Sequence, residues 1–155
     1  MRARAPWARA GIVAAIVLAA DQVTKALVVA SIALGARRRV IGGVLSLVHA
    51  QNSGVAFSLL SGSEAVVVAV TVVIVAGVLA FFARHPRARL LWLATGLIVG
   101  GALGNLVDRI RTGSVTDFIQ LPHWPAFNVA DASITVGVAS LILILGRGGS
   151  AARPG

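Results

Sequence analysis

Four long apolar stretches constrain the fold of this chain more than any other feature. They cover residues 11–34, 65–83, 90–107 and 128–145, so that each contains at least 18 residues. A helix of that length is roughly 27 Å long or more, which suffices to cross a hydrocarbon core of about 30 Å. Only a helix satisfies its own backbone groups in lipid. The pattern therefore predicts an all-α membrane protein with four transmembrane helices.

The charge content supports a membrane protein. Only 12% of the residues are charged, about half the fraction of a soluble domain, so lipid must serve as part of the solvent. The 14 Lys and Arg residues stand mainly at the ends of apolar runs, where they set topology and meet anionic membrane lipids. Nucleic acid is therefore not expected as a partner. The length predicts one integral-membrane domain over residues 1–155.

The arginines of the short loops predict the orientation. With four spans, both termini and the loop 84–89 share one side, which carries eight arginines against five on the other. This bias predicts cytoplasmic termini, although the run 37–39 lies on the predicted outer side. The basic N-terminus also resembles a secretory signal, but the apolar stretch continues past Lys25. Five carboxylates fall toward the predicted outer side: Asp21, Glu64, Asp108, Asp117 and Asp131.

Two longer segments, 35–60 and 108–127, connect the spans on the predicted outer side. Alternation over residues 44–49, with glycines nearby, predicts a small strand-containing element outside the membrane. Residues 61–64, Ser-Gly-Ser-Glu, are typical of a capping box that opens the second span. Segment 108–127 contains glycine and proline residues and is predicted to return the chain to the last span.

Asp117 and Asp131 are candidate catalytic residues. Asp117 precedes the fourth span, Asp131 lies about one turn inside it, and a proline-containing turn separates them. Two carboxylates held close together share a proton, so one can accept a proton from water while the other donates one. This chemistry suits peptide hydrolysis. Intramembrane carboxylates also serve transport, so a small proton- or cation-coupled transporter is the alternative.

Other polar residues stand near the predicted outer ends of the spans. Asn105, Asp108 and Arg109 share one helix face, and Asp108 with Arg109 is either part of the site or only an ion pair. Asp21 and Lys25 are spaced i, i+4, which predicts a pair that lowers the cost of burial.

Three asparagines, Asn52, Asn105 and Asn128, could bind an extended peptide backbone or only satisfy local turns and caps. The histidines lack metal-ligand spacing, and no serine stands in a Gly-x-Ser-x-Gly elbow. Cysteine is absent, which excludes thiolate ligands and nucleophiles. No metal or cofactor is therefore expected.

Five sequence blocks together resemble the lipoprotein signal peptidases, or signal peptidase II family, in order and spacing. They are Asp21-Gln-Val-Thr-Lys25, Asn52-Ser-Gly-Val-Ala-Phe-Ser58, Gly100-Gly-Ala-Leu-Gly-Asn-Leu-Val-Asp-Arg109, Gly113-Ser-Val-Thr-Asp-Phe-Ile119 and Phe127-Asn-Val-Ala-Asp131. One block would be a weak signal, but the full set is highly specific.

The resemblance implies an aspartyl endopeptidase of the bacterial inner membrane with a periplasmic site. Its substrates would be prolipoproteins, cleaved on the amino side of the diacylglyceryl-modified cysteine, and globomycin-type cyclic peptides would inhibit it. The implied fold adds a small periplasmic β-cradle and a periplasmic half-helix or loop over the site. The implied catalytic dyad is Asp117 and Asp131. The implied supporting residues are Asn52, Asn105, Asp108, Arg109, Asn128 and, less directly, Asp21.

Overall fold

The computed structural model describes residues 4–53 and 64–150, which form four helices and three strands. The helices are α1 (Arg4–Ser31), α2 (Glu64–Arg84), α3 (Leu91–Thr112) and α4 (Val129–Ser150). The strands are β1 (Arg37–Ile41), β2 (Leu45–Asn52) and β3 (Val115–Gln120). All four helices are long and apolar enough to cross a membrane, as the sequence predicted.

Three helix boundaries differ clearly from the prediction, and one of them is the end of α4, which continues to Ser150 although its span is predicted to end at residue 145. Helix α1 begins at Arg4, although its span was predicted from residue 11. Helix α3 continues to Thr112, well past the predicted end at residue 107. Gly113 ends it in a left-handed conformation (φ 76°) and donates its N–H to the carbonyl of Arg109, a common helix C-cap. Asp108 and Arg109 are consequently helical and do not lie in a loop.

Helix α3 is central, and its small residues allow close packing. It packs against α1, α2 and α4. Helix α2, in contrast, leaves most of its residues exposed. A Cβ atom on Gly100 would lie 2.7 Å from the carbonyl oxygen of Ala14 in α1. On Gly101 it would lie 2.5 Å from the carbonyl oxygen of Ala130 in α4. The glycines therefore permit close approach of the helix backbones.

The three strands form one antiparallel sheet in the order β1-β2-β3. Strands β1 and β2 confirm the predicted strand-containing element, whereas β3 was not predicted. Residues 61–63 of the predicted capping box and most of the second sequence block lie in 54–63, outside the described residues. In the described part of segment 108–127 we find β3 and turns but no separate helix over the site.

The sheet is attached to the C-terminal end of α1. Val28 and Ile32 of α1 pack against Phe118 of β3 in a buried apolar cluster. The ring Nδ1 of His49 in β2 lies 2.8 Å from the carbonyl oxygen of Ile32, at a hydrogen-bonding distance. These contacts fix β3 beside the ends of α3 and α4, where the polar residues of the chain are gathered.

Candidate active site

Asp117 and Asp131 are brought to one place by a strand and a helix. Asp117 lies in the middle of β3, where it pairs with Ala50 of β2, and its side chain is buried with 3% exposure. Asp131 lies in the first turn of α4 and is half-buried. The turn between β3 and α4 folds back on the strand, since Phe127 exchanges backbone hydrogen bonds with Ile119. The two elements thus converge at the two carboxylates.

Asn128 connects the two aspartates directly. Its side-chain Nδ2 donates to Oδ1 of Asp117 at 2.8 Å, and its backbone N–H donates to Oδ2 of Asp131 at 3.2 Å. The backbone N–H of Asp131 in turn donates to Oδ1 of Asn128 at 2.9 Å. This reciprocal pair is a capping box at the start of α4. One fully buried residue therefore both begins the helix and fixes the relative positions of the two carboxylates.

Asn52 and Asn105 each hold one of the aspartates. Nδ2 of Asn52, at the end of β2, donates to Oδ2 of Asp117 at 3.0 Å. Nδ2 of Asn105, on α3, donates to Oδ1 of Asp131 at 2.8 Å. The amides that the sequence suggested for peptide binding or turns therefore contact the two carboxylates. Each carboxylate accepts two N–H groups, which orient it.

The environment raises the pKa of Asp117 from its ordinary value of 3.8 to about 6. Burial is the main cause, because it removes water from the charged form. The negative charge of Asp131 raises the pKa further, while the hydrogen bonds from Asn52 and Asn128 and the charge of Lys25 lower it. Asp117 is therefore a carboxyl group that can hold a proton close to neutral pH.

A second polar cluster lies directly behind the dyad, centred on Lys25. Its Nζ lies 2.7 Å from Oδ2 of Asp21 and 2.9 Å from Oδ2 of Asp108. Both Asp21 and Lys25 are buried, and the predicted pair between them is confirmed. The side-chain amide of Gln22 completes the cluster by donating to Oδ1 of Asp108 at 2.9 Å. Paired charges of this kind lower the cost of burying each of them.

The two polar clusters are joined through α3 and through backbone groups. Nζ of Lys25 donates to Oδ1 of Asn105 at 3.1 Å, and the same oxygen accepts Nδ2 of Asn128 at 3.1 Å. Oδ1 of Asp21 accepts the backbone N–H of Ala130 in α4 at 2.9 Å. Each of these three hydrogen bonds joins different segments of the fold. Together they hold α1, α3 and α4 in register around the dyad.

Of the two alternatives for Asp108 and Arg109, the ion pair between them is not found among the described residues. Asp108 pairs with Lys25 and also accepts the backbone N–H of Thr116 in β3 at 3.1 Å. Arg109 is half-buried, and its Nη1 donates to the carbonyl oxygen of Asn105 at 3.4 Å. Adjacent helical residues point in different directions. Asp108 therefore faces the core between α1 and β3, and Arg109 does not.

From the sequence, Lys25 is predicted only to pair with Asp21, and no role is predicted for Gln22. Both stand in the block Asp21-Gln-Val-Thr-Lys25, and an amide and an ammonium group one turn apart in an apolar span were the available signal. Within the described ranges, no three His, Asp or Glu side chains are arranged to hold a metal ion.

Comparisons with known proteins agree on one family. The family model described as signal peptidase (SPase) II matches residues 13–146. The lipoprotein signal peptidase of Halothermothrix orenii is 41% identical over 134 residues, covering 86% of this chain and 92% of that protein. The lipoprotein signal peptidase of Symbiobacterium thermophilum is 44% identical over 141 residues, covering 86% and 91%.

A solved structure gives the same result at the level of the fold. A bacterial membrane enzyme superposes with a TM-score of 0.83 at 34% identity, covering 88% of this chain and 91% of its own. With its four apolar helices and three-stranded sheet, this multi-pass membrane protein belongs to the signal peptidase II family of peptidases.

Proposed function

We propose that this protein is an aspartyl endopeptidase that removes signal peptides from diacylglyceryl-modified prolipoproteins, cutting on the amino side of the lipidated cysteine. The observation that carries the proposal is the sharing of Asn128 by Asp117 and Asp131. That contact holds two carboxyl groups in one site, and the raised pKa of Asp117, about 6, lets it hold a proton closer to neutral pH than an ordinary carboxyl group. The relatives from Halothermothrix orenii and Symbiobacterium thermophilum are named lipoprotein signal peptidases.

In the proposed mechanism Asp117 is the acid and Asp131 is the base. Asp131 is the more exposed of the two, so it accepts a proton from water as the water oxygen attacks the carbonyl carbon. Asp117 donates its proton to the carbonyl oxygen, which gives a neutral tetrahedral diol. Asp131 then protonates the leaving nitrogen while Asp117 takes a proton from one hydroxyl group. The C–N bond breaks, and both carboxyl groups return to their initial states.

The supporting residues would act through the carboxylates. Asn52, Asn105 and Asn128 orient the dyad by hydrogen bonds. Asp21 and Asp108 hold Lys25 behind it. Arg109 would support the end of α3 through the carbonyl of Asn105.

The membrane would help to present the substrate. We place the termini in the cytoplasm and the sheet, as a β-cradle, on the periplasmic side of the bacterial inner membrane. The acyl chains of the modified cysteine would stay in lipid and hold the scissile bond at the bilayer surface beside the dyad. Such anchoring reduces the entropy cost of bringing reactants together. Globomycin-type cyclic peptides would inhibit the enzyme by occupying the same site.

The transporter alternative is less well supported by the packing. A coupled transporter needs ionisable groups along a path through the membrane. On α1 the buried residues on the N-terminal side of Asp21 are Val17 and Ala10, which are apolar. The described acids instead lie in two joined clusters beside the sheet, which suits a site at a membrane boundary.

The test is cleavage of a diacylglyceryl-modified precursor by the purified protein in lipid bilayers. We expect cleavage by the wild type, and none by Asp117→Asn or Asp131→Asn, although both variants insert and remain folded. The same precursor without its lipid should be cleaved poorly, which tests the role of the anchor. Normal processing by either aspartate variant would refute the dyad.

A further inference from the structure

A pocket of about 430 Å³ lies on the sheet, away from the dyad. It opens between the edge strand β1 and the residues that follow β3. Its polar lining includes Arg37, Arg39, Ser46, Gln120 and His123, with no Asp or Glu among the lining residues. The aspartyl chemistry proposed above makes no use of this pocket.

The strand register places the polar groups on one face. Arg39 pairs with Ser46, and Ser46 pairs with Gln120, so these three form a row across the sheet. Arg37 is two residues from Arg39 and points to the same side. Its Nη2 donates to Oε1 of Gln120, which orients the guanidinium group toward the pocket. Arg38, between them, points to the opposite face.

The positive charge of this face has no described acidic partner. The described side chains contain four carboxylates, and all of them belong to the two polar clusters of the candidate active site. Both ion pairs found among the described residues use Lys25. All of β1 is exposed. An anion from outside the chain would therefore complete this pocket electrostatically.

Val44 and Leu121 line the pocket, and further exposed apolar residues lie next to its lining residues in the sequence. Val40, Ile41, Val44 and Trp124 are all more than half exposed, and Leu121 is 38% exposed. The sheet that carries them packs on the end of a helix long enough to cross a membrane. Exposed aliphatic groups and a tryptophan beside arginines are the composition of a surface that enters the headgroup region of a bilayer.

We propose that this pocket binds the phosphate of an anionic phospholipid, with Arg37 and Arg39 as its donors. Guanidinium groups match phosphate oxygens through paired N–H donors, and basic pockets beside membrane helices bind lipid headgroups. A bound anionic lipid would explain why the arginine run 37–39 lies on the predicted outer side, where few basic residues are expected. The site stands independently of the peptidase activity.

The test compares lipid retention by the full-length protein in nonionic detergent, measured by native mass spectrometry. Dioleoylphosphatidylglycerol is titrated against dioleoylphosphatidylcholine. The wild type should retain phosphatidylglycerol, the anionic lipid, in preference to phosphatidylcholine. Arg37→Gln and Arg39→Gln should each weaken its binding about fivefold, as expected for one arginine at a membrane surface. Arg38→Gln removes the same charge from the same strand but from the other face, and its binding should match the wild type.

Three results would overturn the proposal. If Arg38→Gln weakened binding as much as Arg39→Gln, only the diffuse charge of β1 would matter. If inorganic phosphate displaced the lipid, the pocket would be a site for free anions. If Arg37→Gln and Arg39→Gln raised the KM for a lipidated precursor in pure phosphatidylcholine bilayers, the pocket would contact substrate. Thermal unfolding of each variant verifies that it is folded.

Discussion

Asn128 and Asp131 are joined by two reciprocal hydrogen bonds, from the N–H of Asn128 to Oδ2 of Asp131 and from the N–H of Asp131 to Oδ1 of Asn128. The same Asn128 donates through Nδ2 to Asp117. Helix capping and dyad geometry therefore depend on different atoms of one side chain. Substitutions that keep one function and remove the other can separate them.

Asn128→Ser should retain the cap and lose the contact with Asp117. Serine is a good N-cap residue, so Asn128→Ser should lose only the stability that the Nδ2 bonds to Asp117 and Asn105 provide. The peptidase activity should fall at least tenfold because Asp117 loses one of its two orienting donors. Asn128→Ala should lose both functions and cost about 1 kcal/mol of stability in addition. The measurements are precursor cleavage and thermal unfolding in the same detergent.

If Asn128→Ser cleaved at the wild-type rate, the Nδ2 contact would have no catalytic importance. If instead both variants lost the same stability, the capping interpretation would be wrong. The comparison thus tests the two assignments separately.

The pKa of Asp117, raised by burial to about 6, predicts the pH dependence of cleavage. As the proposed acid, Asp117 must be protonated, so kcat/KM should fall up to tenfold per pH unit above that value. Asn52 lowers this pKa through its hydrogen bond. In Asn52→Ala the alkaline limb of the profile should therefore move to higher pH. A limb that stays in place or moves to lower pH would contradict the assignment.

The same shift predicts a contribution to folding stability. The folded pKa of Asp117 lies above its ordinary value of 3.8, so protonation favours the folded state. This contribution is fully present below about pH 3.8 and is lost as the pH rises through about 6. Asp117→Asn cannot ionise, so its Tm should change less between these pH values. An unchanged pH dependence of Tm would argue against a buried, titrating Asp117.

Much of the site was predictable because the sequence signals are local. The four spans follow from unbroken apolar runs, and the meeting of Asp117 and Asp131 follows from a short, turn-containing connection. The partners of Asp108 were not predictable. Its cation, Lys25, is 83 positions away in the chain, whereas Arg109 is adjacent. Only the packing of α1 against α3 decides between them.

Strand β3 was also not predictable, because it too depends on residues that are distant in the sequence. It has six residues, and its pairing partner β2 precedes it by more than 60 positions. Short strands acquire their stability from such non-local pairing. The residues around Asp117 therefore carry little strand signal by themselves, whereas the alternation in β2 was visible.

Lys25 should be important for the fold because its ammonium group is the cation that pairs with two buried acids. It is the only lysine of the chain, and Lys25→Met would leave Asp21 and Asp108 without their cation. Breaking a buried pair in this way costs about 3–5 kcal/mol. We expect a large drop in Tm and loss of cleavage. Lys25→Met combined with Asp108→Asn leaves a single buried acid and should recover part of the Tm.

The recovery of the Tm in the double variant shows whether Lys25 acts through its charge or through its packing. Without any recovery in the double variant, the methylene chain of Lys25 would matter more than its charge. Arg87, which is exposed at the α2–α3 turn, offers a control for the loss of one positive charge. Arg87→Met should leave both the Tm and the cleavage rate near the wild-type values.

Gly104 controls the position of the second cluster through the space that it leaves open. A Cβ atom there would lie 2.5 Å from Oδ2 of Asp21, which is the oxygen that pairs with Lys25. In Gly104→Ala the carboxylate must shift, and its bond to the N–H of Ala130 at the start of α4 would weaken. We expect a cost of about 1–3 kcal/mol from overpacking, and at least tenfold slower cleavage.

Gly77 in α2 provides the matched control for this substitution. An added Cβ there meets nothing within 4 Å, so Gly77→Ala should leave cleavage unchanged and, through better helix propensity, slightly raise the Tm. Equal effects of the two substitutions would show that alanine changes only the stability of the helix that carries it and does not displace Asp21. A selective loss in Gly104→Ala would show that the space beside the carboxylate of Asp21 is needed to keep α4 and the dyad in place.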